Sequence, residues 1–203
     1  MLKTLIFLSV GLSCWGCSKS VTIGPNNRAS QTSSTAAGPQ NAAGDLHNKA
    51  PDGWKAETPT SNMRVAEFKL PKVEGDSEDA QLVLYYFGPG QGGTAQANID
   101  RWINQMQQPD GHPSKERAKT ETLTVNNLSV TTVDVLGTYN GGMAPPGGGM
   151  PAATPGDMSN YRLRAAVIET PKGSYFVKLT GPQKTISRWD QAYTDYIKSF
   201  EFK

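Results

Sequence analysis

The sequence is poor in the side chains that most often carry out chemistry. It contains two cysteines, Cys14 and Cys17, both close to the N-terminus, and two histidines, His47 and His112, far apart in the chain. A thiol nucleophile, a Ser-His-Asp arrangement and a histidine-rich metal site are therefore not expected in the main part of the protein. We predict no catalytic residue, no metal site and no cofactor.

A concentrated basic region is also lacking. The chain has a formal net charge of +2, but residues 51–203 carry 16 lysines and arginines against 17 aspartates and glutamates. Nucleic-acid-binding domains need a strongly basic face. The charge balance argues against nucleic acid as a partner.

The N-terminus has the pattern of a targeting segment. A lysine precedes an apolar run from Leu5 to Leu12 that is too short to span a bilayer. With small residues before each cysteine, the segment resembles a bacterial lipoprotein signal, in which the cysteine is acylated and becomes the first mature residue. The resemblance implies a signal peptide at 1–16 and lipidation of Cys17, because Gly16 is a common residue before the cleavage point. Lipidation of Cys14 and a cleaved signal without lipid remain as alternatives.

A polar linker follows the cysteine. If Ser18 is the second mature residue, the resemblance implies sorting to the outer membrane, with the lipid as membrane anchor. Residues 17–50 are dominated by small and polar side chains. Such a stretch cannot bury enough apolar surface to offset its conformational entropy, so we expect a disordered linker.

Residues 51–203 carry the large apolar runs and predict one globular domain. Alternation at 66–70 and the run "QLVLYYF" at 81–87 predict strands. A 3.6-residue period at Ile99, Trp102, Ile103 and Met106 then predicts a helix that Thr94 caps.

Two hairpins and a closing helix are predicted after this point. The first hairpin joins "TETLTV" to "LSVTTVDVLGTY" through Asn126-Asn127, and the second joins 161–169 to 174–180. An apolar stripe over 186–200 predicts the closing helix. The order of elements predicts an α+β fold, a mainly antiparallel sheet with two helices packed on it.

The closing run at 175–202 has a strand ending in Thr-Gly-Pro, a helix and a terminal Ser-Phe. It resembles the end of Mog1/PsbP-like domains. The stretch from Met63 through "LYYFGPGQGGTAQANIDRWINQM" is similar to uncharacterised bacterial envelope lipoproteins of that type. The resemblance implies the same α+β fold, and binding or assembly work more than catalysis. It carries over no functional residue.

A glycine-rich motif follows the apolar run at 81–87. Gly88, Gly90 and Gly93 form G-x-G-x-x-G between a strand and a helix, where a phosphate could approach backbone N–H groups. A dinucleotide site needs a parallel βαβ unit, whereas the chain continues into a hairpin. We therefore favour a tight strand-to-helix turn, which would place the glycines on a surface for a partner or ligand.

The stretch "NGGMAPPGGGMPAATPGD" at 140–157 predicts a long exposed loop. Met143 and Met150, with nearby Met158, carry thioethers, which are soft ligands for copper(I). Without a histidine or cysteine beside them, we predict a loop that contacts a partner rather than a metal site.

Acidic and aromatic residues remain. An acidic cluster predicts a solvated turn, with weak calcium binding as the alternative: Glu74, Asp76, Glu78 and Asp79. Three tryptophans have the spacing of core residues, although they could line a ligand cleft: Trp54, Trp102 and Trp189.

Taken together, these features predict a noncatalytic, lipid-anchored envelope protein whose domain binds another protein or supports the assembly of a complex. The alternative is a small-molecule-binding or hydrolytic envelope domain with a pocket near 88–93 and 140–157.

Overall fold

The computed structural model describes residues 45–141 and 158–203. The predicted signal peptide, both cysteines and most of the linker lie outside these ranges, as do Met143 and Met150. The described strands are β1 (Leu46–His47), β2 (Lys55–Glu57), β3 (Arg64–Leu70), β4 (Ala80–Tyr86), β5 (Met106–Gln107), β6 (Lys119–Val125), β7 (Leu128–Tyr139), β8 (Tyr161–Thr170), β9 (Gly173–Pro182) and β10 (Glu201–Phe202). The described α-helices are α1 (Ala95–Ile103), α2 (Gln183–Arg188) and α3 (Asp190–Lys198).

Eight of the strands form one antiparallel sheet in the order β2-β3-β4-β9-β8-β7, with β5 and β6 both paired to β7. The two predicted hairpins are confirmed. The first turns through Asn126 and Asn127, whose φ angles of 46° and 66° suit a two-residue turn. The fold is α+β with a mainly antiparallel sheet, as predicted.

Each face of the sheet has its own apolar core, because side chains alternate between the faces along every strand. One core packs the sheet against α2 and α3, and includes the fully buried Leu82, Val177 and Tyr196. The other packs α1, through Ile99 and Trp102, onto the opposite face. We call that second side of the sheet the α1 face.

The α1 face is covered unevenly. Helix α1 packs against β7 and β8, and no described helix packs comparably on β3 and β4 from this side. We call the remaining part of this side the open face. Pairing and alternation place ten side chains there. They are Lys55, Glu57, Arg64, Glu67, Lys69, Gln81, Val83, Tyr85, Lys178 and Thr180.

The closing helix differs from its prediction. It is broken at Trp189, whose φ and ψ of −101° and 11° leave the helical range, so that α2 and α3 are separate. The indole Nε1 donates to the carbonyl oxygen of Pro71 at 3.0 Å, which holds this residue against a distant loop. Helix α1 also ends earlier than its apolar pattern, because Met106 belongs to β5.

The folded domain begins before position 51. Strand β1 pairs with β10, and the amide of Lys203 donates to the carbonyl oxygen of Asp45 at 2.9 Å. Residues 45–50, which the sequence assigned to the linker, therefore pack with the end of the chain. Among the described residues, no helix is both long and apolar enough to cross a membrane.

Candidate functional site

A lysine lies in the middle of the sheet, on the open face next to α1. Lys178 is paired with Val83 of β4 on one side and with Ala165 of β8 on the other. Its Nζ donates to Oε1 of Gln105 at 2.6 Å and to the hydroxyl of Tyr139 at 2.9 Å. Three separate elements thus meet at one ammonium group.

No carboxylate of the described residues pairs with this ammonium: both bonded acceptors are neutral. Burial, and secondarily the positive charge of Arg64, lowers the pKa of Lys178 to about 8. The group is still mostly charged at neutral pH. A half-buried cation without a counter-ion is unfavourable for folding, and such groups often mark functional sites.

The neighbouring acidic residue on the open face is already bonded within the protein. Glu67 is 2% exposed. Its carboxylate accepts from the backbone and hydroxyl of Thr60, at 2.7 and 3.0 Å, and from Arg64 at 2.9 Å. Burial acts to raise the pKa of Glu67, but these hydrogen bonds outweigh it, and the pKa is lowered. Glu67 therefore neutralises Arg64 and not Lys178.

Aromatic rings lie beside Arg64 on the same side of the sheet. Tyr85 stacks on Phe87 with ring centroids 6.0 Å apart, and Phe87 packs against Phe176 at 5.4 Å. The guanidinium of Arg64 lies 5.6 Å from the centre of the Tyr85 ring. Phe87 follows β4 and packs on the same side of the sheet as Tyr85. It is 38% exposed, so it adds apolar surface to the charged open face.

Tyr85 adds a hydroxyl to this surface. Burial raises the pKa of Tyr85, so the phenol stays protonated and able to donate. An ammonium, a phenol and exposed rings together suit recognition of a group that carries negative charge beside apolar surface. Tyrosine and arginine are also enriched where proteins bind each other.

The predicted glycine motif forms a tight strand-to-helix turn. Gly88, Gly90 and Gly93 all have positive φ angles. The N-terminus of α1 is capped by Thr94, whose Oγ1 accepts from the amide of Ala97 at 3.2 Å.

Asn98 fills the space behind this turn. It is 3% exposed, and its side-chain amide donates to the carbonyl oxygens of Gly92 and Thr94 at 2.8 and 2.9 Å. Asn98 thus holds the turn together through two carbonyl oxygens. In the described residues β4 has only antiparallel neighbours, β3 and β9, so the parallel βαβ unit of a dinucleotide site does not follow the glycine turn.

Of the alternative pocket, the structure describes the glycine turn and the residues that flank 142–157. The glycine turn precedes the helix, whereas the described flanks of 140–157 meet the residues after it. The amide of Asn140 donates to the carbonyl oxygen of Gln105 at 2.9 Å, and that of Tyr139 to Met158 at 3.0 Å. The nine residues of α1 span about 14 Å. Met143 and Met150 lie outside the described residues, so their role stays a prediction.

The acidic turn is a structural element. Asp76 accepts from the amide and hydroxyl of Thr185 at 2.9 and 2.6 Å, which ties the turn to α2. Asp79 accepts from the amide of Lys72 at 2.9 Å, and Glu78 accepts from the hydroxyl of Tyr161. In the described part of the chain, no group of acidic, histidine or cysteine side chains is arranged to hold a metal ion.

The tryptophans belong to the cores, as their spacing predicts. Trp102 is buried under α1, and Trp54 packs on Phe68 and Tyr196. His112 lies at the surface with its Nδ1 3.7 Å from Glu116.

Sequence analysis did not identify the Lys178 group. Its three members lie at positions 105, 139 and 178, which no local pattern connects. One signal was available: Lys178 interrupts the apolar run "YFVKLT" at a strand position that shares a face with the buried Phe176. A lysine at such a position is seldom buried unless it has a partner.

Comparison with known proteins gives structural similarity only. No protein-family model and no curated protein matches the sequence. A Pseudomonas aeruginosa protein of unknown function, PA94, matches with 14% identity and a TM-score of 0.41, over 66% of this chain and 78% of its own. LpqN, involved in cell envelope biogenesis of Mycobacterium tuberculosis, has 9% identity and a TM-score of 0.48, over 78% and 83%.

The similar structures also include cyanobacterial PsbP (CyanoP) from Synechocystis sp. PCC 6803, a protein of the family that the closing run resembles. It has 13% identity and a TM-score of 0.44, and the match covers 82% of this chain and 99% of that one. Because the identities and TM-scores are this low, none of the three proteins supports a statement about function.

Proposed function

We propose that this protein is a noncatalytic binding domain of the cell envelope, that a lipid on Cys17 holds it to the outer membrane, and that its open face binds a protein partner. The lipoprotein-like leader supports the anchor. The open face supports the binding role, and one observation carries it: a half-buried lysine, which has no counter-ion among the described residues, shares a side of the sheet with the exposed ring of Phe87.

The open face has the mixed character of a protein interface. Phe87 supplies exposed apolar area, while Tyr85 and Arg64 are residue types enriched at binding hot spots. Lys69, 48% exposed at its side chain, and the exposed Gln81 surround them with a polar rim.

On the opposite face of the sheet, α2 and α3 cover one core. The exposed Leu136 lies on that side too, but the Asp134 and Arg162 beside it are already paired with each other.

Photo-crosslinking in intact cells tests this proposal. A photoreactive residue replaces Gln81 on the open face, in the full chain with a C-terminal tag. The matched control replaces Gln191, an exposed glutamine on α3 at the other side of the sheet. We expect one discrete adduct from position 81 and none of that size from position 191.

Equal labelling from both positions, or no adduct from position 81, would contradict the proposed binding face. A variant without residues 142–157 tests separately the prediction that Met143 and Met150 contact the partner. In that variant the adduct from position 81 is expected to weaken.

A further inference from the structure

We propose that Lys178 is the anchor for a carboxylate of the partner protein, so that the open face recognises an acidic segment. This inference rests on the proposed function and names the chemistry of the partner. The argument has three steps: the bonding of the ammonium, the charge around it, and the energetics of a pair formed there.

The bonding of Lys178 is incomplete. An ammonium has three donors, and those of Lys178 reach two acceptors in the described structure, Gln105 and Tyr139. One N–H therefore remains for a further acceptor. The two hydrogen bonds hold the ammonium at one position, between Gln105 after α1 and Tyr139 at the end of β7.

The charge around Lys178 favours an anion. The strand positions of the open face carry four basic side chains and two acidic ones. Both acidic groups already have a partner, since Glu67 bonds Arg64 and Glu57 lies 2.9 Å from Lys69. Two of the four cations, Arg64 and Lys178, are only partly exposed, and of these two Lys178 has no ion pair among the described residues. An anionic group on the partner, and not a cation, complements this surface.

The energetics favour a carboxylate in particular. Folding has already removed much of the water from Lys178, so the partner's acid forms its pair without that desolvation on the lysine side. The hydroxyl of Tyr85, which is protonated at neutral pH, is a neutral donor on the same face. Ammonium and phenol donors suit carboxylate oxygens, which accept more than one hydrogen bond.

The affinity of the partner crosslinked through position 81 tests the inference. We expect Lys178→Met to raise the dissociation constant of the purified partner at least about 30-fold, the effect of truncating one side of a desolvated charge pair. Lys184→Met, on the exposed surface of α2, makes the same chemical change elsewhere and is expected to alter the constant less than about twofold. Replacing the partner's acidic residue nearest the adduct by its amide should produce the same loss, with no additional loss when combined with Lys178→Met.

Two results would overturn the inference while leaving the binding face intact. One is an unchanged affinity for the Lys178→Met variant, with thermal unfolding showing that it is folded. The other is additive loss in the double mutant. If position 81 gives no adduct at all, the proposed function fails instead.

Acetate provides a test of Lys178 that does not need the partner. The ε-carbon resonances of ¹³C-labelled lysines in the full chain are titrated in sodium acetate and in sodium chloride of equal ionic strength. The resonance of Lys178, assigned by its loss in Lys178→Met, is expected to titrate at higher pH in acetate, and that of Lys184 at the same pH in both salts. Identical titration of Lys178 in the two salts would overturn carboxylate recognition.

Discussion

Replacing Lys178 by methionine is expected to stabilise the isolated protein at neutral pH. Burial lowers the pKa of Lys178 in the folded protein to about 8, from an ordinary value of 10.5. One pKa unit corresponds to about 1.4 kcal/mol, so the charged lysine costs about 3 kcal/mol of stability at pH 7. Methionine has a similar length and no charge. Its introduction leaves Gln105 and Tyr139 without one donor, but both are partly exposed and water can replace it.

The net gain expected for Lys178→Met at pH 7 is about 2 kcal/mol, within the range found when buried charges are replaced by apolar groups. The pH dependence of the unfolding free energy identifies Lys178 more specifically than the gain in stability at pH 7 does. Between pH 8 and 10.5 the unfolded chain binds more protons than the folded one, so the stability of the wild type rises with pH. The rise between pH 7 and 9.5 is about 2 kcal/mol, and the variant, which lacks this group, should not show it.

Urea unfolding of the full chain, with both cysteines replaced by serine to prevent lipidation, measures both effects. The urea midpoint of Lys178→Met should exceed that of the wild type by about 1 M at pH 7, and the two should nearly coincide at pH 9.5. Measurements stop there because burial raises the pKa of Tyr175 to about 12. Above pH 10 the unfolded chain loses tyrosine protons first, and stability falls. A variant no more stable than the wild type at pH 7, or parallel pH curves, would refute the reasoning.

Three further predictions concern other parts of the chain. Glu67→Gln should lower the unfolding free energy by about 2 kcal/mol at pH 7, because it removes charged hydrogen bonds from a buried carboxylate. Gly92→Ala should cost about 3 kcal/mol and Gly75→Ala about 1 kcal/mol, since their φ angles are +88° and +87° but only at Gly92 would the new Cβ lie 2.6 Å from a core ring. Cys17→Ser should abolish a lipid adduct in the intact mass, whereas Cys14→Ser should keep it.

Each of these has its own control. The pKa of Glu67 is lowered in the folded protein, so its contribution is present at neutral pH and is lost as pH falls through that pKa. Curves for Glu67→Gln and wild type should therefore converge in acid; a constant difference would contradict the assignment. Equal destabilisation at the two glycines would show that backbone strain, and not contact with Phe176, decides the cost. A lipid adduct that persists in Cys17→Ser would move the anchor to Cys14.

Local patterns in the sequence determined much of the fold. The hairpin at Asn126 and Asn127 forms because adjacent strands and a two-residue turn need no information from elsewhere in the chain. The start of α1 follows for the same reason, since Thr94 caps a helix whose apolar side chains recur every three or four residues. Alternation along the strands was enough to predict an antiparallel sheet with helices packed on it.

Only the tertiary structure decided where the closing helix breaks and which polar groups meet. Trp189 has the right spacing for one continuous helix, but its bond to the distant Pro71 accompanies a break in the helical backbone. Gln105, Tyr139 and Lys178 belong to segments far apart in the chain, and they meet because β9 lies between β4 and β8 while α1 ends beside them. Periodicity reports which face of its own element a residue occupies. It carries no information on what another element places opposite that residue, and this determines the burial, the pKa and the binding chemistry of Lys178.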